Sequence, residues 1–339
     1  MMKFGKGVGA LFFLTVVALA PASRAAEAPR QPGLIQPGAV WLDTEGHSIQ
    51  AHGGGFLFHD HLWYWYGEDR TQGLDPDKQY VSCYSSADLV HWTFRGRPLQ
   101  LSDPEHLGPK WILQRPKVFY SPTTRQFVMY FHLDDARYKV AQVGIAISSS
   151  PSGPFHYVRS FRPLGFESRD IGQFVDDDGS AYLIFESRPS GGFYIAQLSA
   201  DRLSLSRQVA FLHLPLEGGA LVHTGDRYYV LGSHLTGWAP NPNVFASAPS
   251  LAGPWTEFNS IAPESTNTYE SQSTFLLKIK GRKKTAVVFM GDIWKPEALW
   301  DSRYLWMPLQ IDGGAMHLPP PAPWMIDVKT GIVTLGPHE

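Results

Sequence analysis

The chain has 339 residues, a formal charge of −2 and 43% hydrophobic residues, of which the aromatic ones alone make up 13% of the sequence. Its basic residues are scattered rather than clustered, which argues against nucleic acid or an anionic membrane as a partner. Length alone would allow two domains, but all-β domains of this size are often single.

The first 25 residues have the pattern of a secretory signal peptide. Lys3 and Lys6 precede an apolar run over residues 9–20, and residues 23–25 include the small side chains needed for cleavage. The apolar run is short for a bilayer span, so we expect cleavage rather than a retained anchor. The protein is therefore expected to be exported, to the periplasm or outside the cell, with no membrane association afterwards. Residues 26–37 are predicted to form a short N-terminal tail.

A unit of an apolar strand, a tight polar turn and an aromatic or β-branched strand then recurs five times. The copies fall at residues 59–67, 120–130, 175–185, 223–232 and 279–291, the last being the loosest. A second strand pair around an Asp, Ser or Pro turn follows, as at residues 81–92, 144–155 and 244–255. Four strands per unit, repeated five times, predict an all-β fold, a five-bladed β-propeller over residues 38–339.

Cysteine and histidine give little sign of disulfide, redox or metal chemistry. Cys83 is the single cysteine, so no internal disulfide can form, and its place in an alternating strand predicts a buried, inert thiol. The 13 histidines show no ligand spacing, so we predict no metal site and no cofactor. Whether a structural calcium ion is bound on the axis stays an open question at this point. The acidic turn at residues 176–178 is predicted to be solvated.

Glu217 is the first candidate for catalysis. The innermost strands of a propeller face its axis, where polar side chains are costly unless they serve a function. Glu217 lies in an apolar, glycine-rich stretch over residues 214–222. Such surroundings raise a carboxyl pKa, as the general acid of a glycosidase requires. The alternative is a turn glutamate beside flexible glycines, and context alone leaves both open.

Several long motifs resemble those of glycoside hydrolase family 43, most closely its subgroup of exo-β-1,3-galactanases. In chain order they lie at residues 49–55, 64–69, 115–118, 233–243, 269–272 and 302–306. The resemblance runs from about Trp41 to Leu309. It implies a propeller with an axial pocket and an inverting glycosidase that releases galactose from the non-reducing end of β-1,3-galactan. The implied partner is thus a polysaccharide or oligosaccharide, and we expect a monomer.

The resemblance also implies roles for individual residues. Glu217 matches the general acid, and Gln272 matches a glutamine that holds the attacking water across a gap wide enough for it, in place of an aspartate base. The positions that match the sugar subsite are Glu68, Tyr138, Asp170 and Gly237. Trp238, and with it Trp294, is a candidate to stack on a sugar face, although either could be plain core.

Gln114 departs from the family pattern. The subgroup has a glutamate there that tunes the general acid, whereas glutamine can still bind a sugar hydroxyl but adds no negative charge. We therefore expect a shifted pH optimum, reduced turnover or altered substrate choice.

Two other functions stay open. One is a non-catalytic arabinogalactan-binding propeller, which Gln114 would suit. The other is a family 43 arabinofuranosidase or xylosidase, against which stands the absence of the usual aspartate base at residues 50–52.

Overall fold

The computed structural model describes residues 1–2, 33–101 and 110–336, so the predicted signal peptide lies outside the described residues except for Met1 and Met2. Five antiparallel sheets form the blades of the predicted β-propeller, which is confirmed. Blade 1 consists of β1 (His52–His59), β2 (Leu62–Glu68), β3 (Gln79–Ser86) and β4 (Thr93–Leu101). Blade 2 consists of β5 (Ile112–Ser121), β6 (Gln126–Asp134), β7 (Gln142–Ser148) and β8 (His156–Phe161).

The remaining three blades follow in chain order. Blade 3 consists of β9 (Ile171–Val175), β10 (Ala181–Ser187), β11 (Gly192–Leu198) and β12 (Leu205–Leu212). Blade 4 consists of β13 (Leu216–Thr224), β14 (Arg227–His234), β15 (Val244–Ala248) and β16 (Asn259–Ser260). Blade 5 consists of β17 (Gln272–Lys280), β18 (Thr285–Ile293) and β19 (Arg303–Pro308).

The first strand of each blade lies innermost and contacts its neighbours around the ring, with β17 returning to β1. Each of the five predicted repeat units coincides with the hairpin between the first two strands of a blade. The core lies between blades. For example, the rings of Trp65 in blade 1 and Trp306 in blade 5 are 4.7 Å apart, and both side chains are buried.

Blade 5 corrects the expectation of four strands in every blade, because it has three in the part of the chain that the structure describes. After β19 the chain forms a separate short hairpin, β20 (Gln310–Asp312) with β21 (Ala315–His317). Gly313 and Gly314 both have positive φ and make the tight turn between them. The segment therefore pairs with itself instead of extending the blade.

The last hairpin ties the C-terminal part of the chain to residues 33–37, which belong to the predicted tail. It consists of β22 (Trp324–Asp327) and β23 (Ile332–Leu335). Ile35 and Trp324 exchange two backbone hydrogen bonds, of 2.7 and 3.0 Å, and both side chains are buried. We call this pair the terminal clasp.

Four of the five inner strands contain an irregularity in pairing close to their first residues. The register shifts within His52/Gly55, Gln114/Lys117, Glu217/Ala220 and Ser273/Phe275. A bulge of this kind bends the strand and redirects its side chains. At Gly218, φ is +64° and a Cβ atom would lie 2.5 Å from the Ser273 carbonyl oxygen, so glycine is required there.

The helical segments are short. Three are 3₁₀ turns, at Pro163–Gly165, Glu264–Thr266 and Pro296–Asp301, and one is a single turn, α1 (Asn267–Glu270). All four residues of α1 have positive φ, from 48° to 60°, so this turn is left-handed. Among the described residues, no helix reaches the length and hydrophobicity needed to cross a bilayer.

Candidate active site

Glu217, the predicted general acid, is the second residue of β13 and lies at the axis with 4% of its surface exposed. Its Oε1 accepts a hydrogen bond of 3.0 Å from Gln272 Nε2, and its Oε2 is 3.5 Å from Arg188 Nη2. Burial, together with the negative charges of Asp170 and Glu186, raises the pKa of Glu217 to about 8. The side chain is therefore protonated at neutral pH and can act as an acid.

Gln272 is the first residue of β17, and both ends of its amide have partners. Its Oε1 accepts hydrogen bonds from Arg115 Nη2 at 2.6 Å and from Trp294 Nε1 at 2.9 Å. Its Nε2 reaches Glu217, whereas inverting glycosidases separate their two catalytic groups by about 6.5–9.5 Å. The expected water-sized gap is therefore wrong for this structure, because the two side chains bond directly.

The backbone around Gln272 is held by a buried amide. Asn243 Oδ1 accepts from the Ser273 N–H at 2.8 Å, and its Nδ2 donates to the Ser271 carbonyl at 3.2 Å. Thr268, within the left-handed turn α1, accepts from the Asn243 N–H through its hydroxyl at 2.7 Å. Left-handed backbone costs about 1–2 kcal/mol per non-glycine residue, so these bonds fix an otherwise unfavourable approach to the site.

Arg115 lies at the centre of the site, with 4% exposure and a positive φ of 54°. Besides Gln272, its guanidinium contacts Asp170 Oδ2 at 3.0 Å and the Ser273 carbonyl at 3.1 Å. It thus joins the inner strands of blades 2 and 5 to the start of blade 3. The sequence motif at residues 115–118 contained Arg115, but nothing in its spacing assigned it this bridging role.

Asp170 and Glu68 both lie beside Arg115. Asp170 Oδ2 also accepts the Gly218 N–H at 2.8 Å, which links it to the residue after Glu217. Burial favours protonation of Asp170, but Arg115, His132 and the Gly218 N–H hold its pKa below the ordinary value. Glu68 ends β2, is 4% exposed, and accepts the Arg115 backbone N–H at 3.1 Å.

Gln114 and Tyr138 form a second pair at the site. Their side chains are hydrogen-bonded to each other, and Gln114 lies half-buried near the start of β5. Tyr138 follows β6 with a φ of +54° and is 38% exposed. Arg169 supports it, since its guanidinium donates to the Tyr138 carbonyl at 2.7 Å and lies 5.8 Å from the ring centre.

The loop after β14 brings Gly237 and Trp238 to the same end of the axis. The Gly237 carbonyl oxygen lies 3.4 Å from Gln272 Nε2, and Trp238 is 41% exposed. Trp294 is half-buried, and its indole N–H is engaged by Gln272. Trp238 thus has a free face for a ligand, whereas Trp294 orients a site residue.

Sequence reasoning missed Glu186 and Arg188. Glu186 lies in β10 with 1% exposure, and its Oε1 accepts from Arg188 Nε at 2.7 Å. A glutamate directly after the apolar run of residues 181–185 was a usable signal, because a carboxylate in a buried strand is costly without a function. Cys83, in contrast, matches its prediction. It is fully buried, and burial raises the pKa of its thiol far above the ordinary value.

Three polar side chains close the axis below the site, and we call Lys117, Gln173 and Thr274 the floor. Lys117 Nζ donates to the carbonyl oxygens of Gly53 and, more closely, Gly54. Thr274 Oγ1 donates to the same Gly54 carbonyl at 3.2 Å. All three floor residues are at least 94% buried, so the pocket is closed at its lower end.

A possible cation site lies on the opposite end of blades 3 and 4 but has other partners. Asp176, Asp177 and His223 place ligand atoms within 4.8 Å of one another. Asp177 pairs with Lys278 at 2.8 Å and Lys280 at 2.7 Å, and His223 bonds Asp176 at 2.8 Å. These contacts account for the cluster, and we infer no metal from it.

The chain resembles known glycoside hydrolases in sequence and in structure. The sequence matches the family described as glycosyl hydrolases family 43 over residues 58–274. A solved exo-β-1,3-galactanase from Phanerochaete chrysosporium, with β-1,3-galactotriose, is 38% identical over 90% of this chain and 71% of that chain, with a TM-score of 0.84. One from Clostridium thermocellum is 34% identical over 89% of this chain and 68% of that chain, with a TM-score of 0.81. No curated protein matched.

Proposed function

Because this chain belongs to glycosyl hydrolase family 43, whose enzymes invert, we propose that it releases galactose from the non-reducing end of β-1,3-galactan. The solved structures that it resembles at 34–38% identity are those of exo-β-1,3-galactanases. One observation carries the assignment: a buried Glu217 at the axis whose pKa is raised to about 8.

Glu217 supplies the proton in the proposed reaction. Its carboxyl group protonates the glycosidic oxygen as the bond to the galactosyl C1 breaks, so the leaving sugar departs as a neutral alcohol. A water molecule attacks C1 from the opposite face of the ring, and the oxonium group that forms releases its extra proton to the surrounding water. The product is α-galactose, because the configuration of the β-linkage is inverted.

The bond between Gln272 and Glu217 has to break before Gln272 can hold that water. Gln272 Nε2 bonds the acid, while Arg115 and Trp294 bond the Gln272 oxygen. We propose that entry of the galactosyl ring breaks the contact with Glu217. The two bonds to the oxygen keep the amide in place, and the freed N–H group then faces substrate or water.

The floor sets the depth of the pocket. Lys117, Gln173 and Thr274 are buried across the axis, so a sugar enters and leaves from the end that holds Glu217 and Trp238. Exo action is proposed from the exo-β-1,3-galactanases that the chain resembles. Above the floor, Asp170, Glu68, Gln114 and Tyr138 are available to bind the hydroxyls of one terminal galactose.

The direct test is galactose release from linear β-1,3-galactan, measured by chromatography. The wild type and the control Glu257→Gln, which changes an exposed glutamate, should release galactose, and Glu217→Gln should not. NMR at early times should detect α-galactose first. If β-galactose appears first, the inverting mechanism is excluded, and if Glu217→Gln keeps its activity, another residue is the acid.

The same experiment distinguishes the other functions. Hydrolysis of arabinofuranosyl or xylosyl substrates, with galactan untouched, would indicate a different family 43 enzyme. Binding of galactan in calorimetry without release of any sugar would indicate the non-catalytic propeller.

We also propose that the protein is exported after cleavage near residue 25, on the pattern of residues 1–25. N-terminal sequencing of the protein from fractionated cells tests this, and an intact Met1 on protein from the cytoplasm would contradict it.

A further inference from the structure

We propose that Glu186 is a positioning residue for the acid: it holds the Arg188 guanidinium away from Glu217, and its own negative charge helps to keep Glu217 protonated. This inference rests on the proposed function, in which Glu217 is the proton donor. Glu186 lies in β10, the second strand of blade 3, one strand away from the axis.

Glu186 is an unusual residue to find at this place. Its side chain is 2% exposed, and its Oε2 is 3.4 Å from the Asp170 backbone N–H, which donates to it. Burial and the nearby charge of Asp170 raise the pKa of Glu186, and Arg188 opposes them. Burying a charged carboxylate is costly, and placing it beside a second one adds repulsion. Packing alone would favour an apolar residue here, like its neighbours Ile184 and Phe185, which are fully buried.

Arg188 is shared unequally between two glutamates. Its Nε donates to Glu186 Oε1 at 2.7 Å, whereas its Nη2 is 3.5 Å from Glu217 Oε2. The first distance is a strong charge-assisted hydrogen bond and the second is at the outer limit of one. Arg188 is 48% exposed and long enough to turn, so Glu186 decides which carboxylate it neutralises.

The direction of the effect follows from the charges around Glu217. Asp170 and Glu186 face it from blade 3, Arg115 from blade 2 and Arg188 from the turn after β10, and His132 is a further group whose charge acts on Asp170. With one proton on Glu217, two carboxylates balance two guanidinium groups. Full pairing of Arg188 with Glu217 would favour the ionised acid and remove the proton that catalysis needs.

The pKa directions agree with this geometry. After burial, the negative charges of Asp170 and Glu186 are what raise the pKa of Glu217, and Arg115 and Arg188 oppose them. Loss of Glu186 therefore acts twice in the same direction, since it removes a negative charge and releases Arg188 toward Glu217.

The experiment measures kcat/KM for galactose release from galactan against pH in four proteins: wild type, Glu186→Gln, Arg188→Gln and the double variant. A protonated Glu217 makes activity fall as pH rises through its pKa. We expect Glu186→Gln to move this fall about one pH unit lower, and Arg188→Gln to move it higher. The double variant should lie between the two, and the control Glu257→Gln should follow the wild type.

A fall at the same pH in Glu186→Gln and wild type would overturn the proposal, as would a shift to lower pH in Arg188→Gln. If Glu186→Gln does not fold, Arg188→Gln alone still decides the direction. Carbon NMR of glutamate labelled at the side-chain carboxyl gives the same answer without substrate. The Glu217 signal, identified by its absence in Glu217→Gln, should titrate at lower pH in Glu186→Gln. If wild type releases no galactose, the proposed function fails while this titration still tests Glu186.

Discussion

Gln272 Nε2 donates a hydrogen bond of 3.0 Å to Glu217 Oε1, so the proposed acid is bonded to the residue expected to hold the attacking water. The contact gives Glu217 one neutral donor, and Arg115 reaches the other end of the same amide. Substrate has to separate the two residues before an inverting displacement can take place. Substrate binding itself therefore brings Glu217 and Gln272 into the geometry that the reaction needs.

Shortening Gln272 tests that coupling. Gln272→Asn withdraws the amide by one methylene from Glu217, Arg115 and Trp294, and we expect kcat to fall about 10²-fold because the water is misplaced. KM should change less than kcat, since Asp170 and Glu68 still bind the terminal sugar. Gln310→Asn, an exposed glutamine in β20, is the matched control. An unchanged kcat would mean that Gln272 does not hold the water.

The pKa of Glu217 predicts how stability depends on pH. An unfolded glutamate titrates near 4.5, whereas folded Glu217 keeps its proton up to about 8. Its contribution to stability is therefore complete below pH 4.5 and is lost as pH rises through 8. Glu217→Gln cannot titrate at this position. Its free energy of unfolding should therefore rise relative to that of wild type between pH 4.5 and 8, and the difference should stay constant above pH 8. Urea denaturation at several pH values measures the difference, and a constant difference would contradict the raised pKa.

Arg115 should be essential for stability as well as for activity. Arg115→Met removes the cation that pairs with Asp170 and bonds Gln272, so Asp170 is left buried without its guanidinium partner. Glu68 keeps the backbone N–H of residue 115 and its ion pair with Arg70. We expect a loss of about 3–5 kcal/mol in the free energy of unfolding. Arg282→Met, at an exposed position, should cost far less. Equal losses in the two variants would show that Asp170 finds another partner.

Gln114→Glu tests whether the departure from the family pattern limits the protein. Gln114 bonds Tyr138, whereas the charges that raise the pKa of Glu217 come from Asp170 and Glu186. The added carboxylate should therefore shift the high-pH fall of kcat/KM upward by less than one pH unit. If kcat instead rises several-fold and the high-pH fall of kcat/KM shifts strongly, then the lack of a glutamate at position 114 limits the protein, as the sequence predicted.

The blades could be predicted from the sequence because they depend on local patterns: alternating strands with polar turns specify each hairpin. The apolar glycine-rich stretch made Glu217 a candidate, but its role as the general acid came from the family resemblance and stays a prediction. Contacts between blades could not be predicted in this way. The bond between Glu217 and Gln272, and the place of Arg115 among the carboxylates, depend on how the blades meet at the axis.

The three-stranded fifth blade and the role of Glu186 also could not be predicted from local sequence patterns. Nothing in the turn residues after β19 says that the chain will pair with itself, because Gly313 and Gly314 suit either outcome. In the sequence, Glu186 is simply one polar residue at the end of an apolar strand. Its role depends on contacts with Asp170 and Arg188, which only the fold brings beside it.

The terminal clasp has a consequence for how the ring comes together. Each blade is a run of neighbouring hairpins that can form from local contacts, but Ile35 meets Trp324 only when most of the chain has been ordered. Contacts between residues so distant in sequence form slowly, because the chain loses entropy on closing the loop before the contacts contribute any stabilising free energy. We therefore expect closure of the ring to be a late step in folding, and amide hydrogen exchange to find the clasp opening before any blade does.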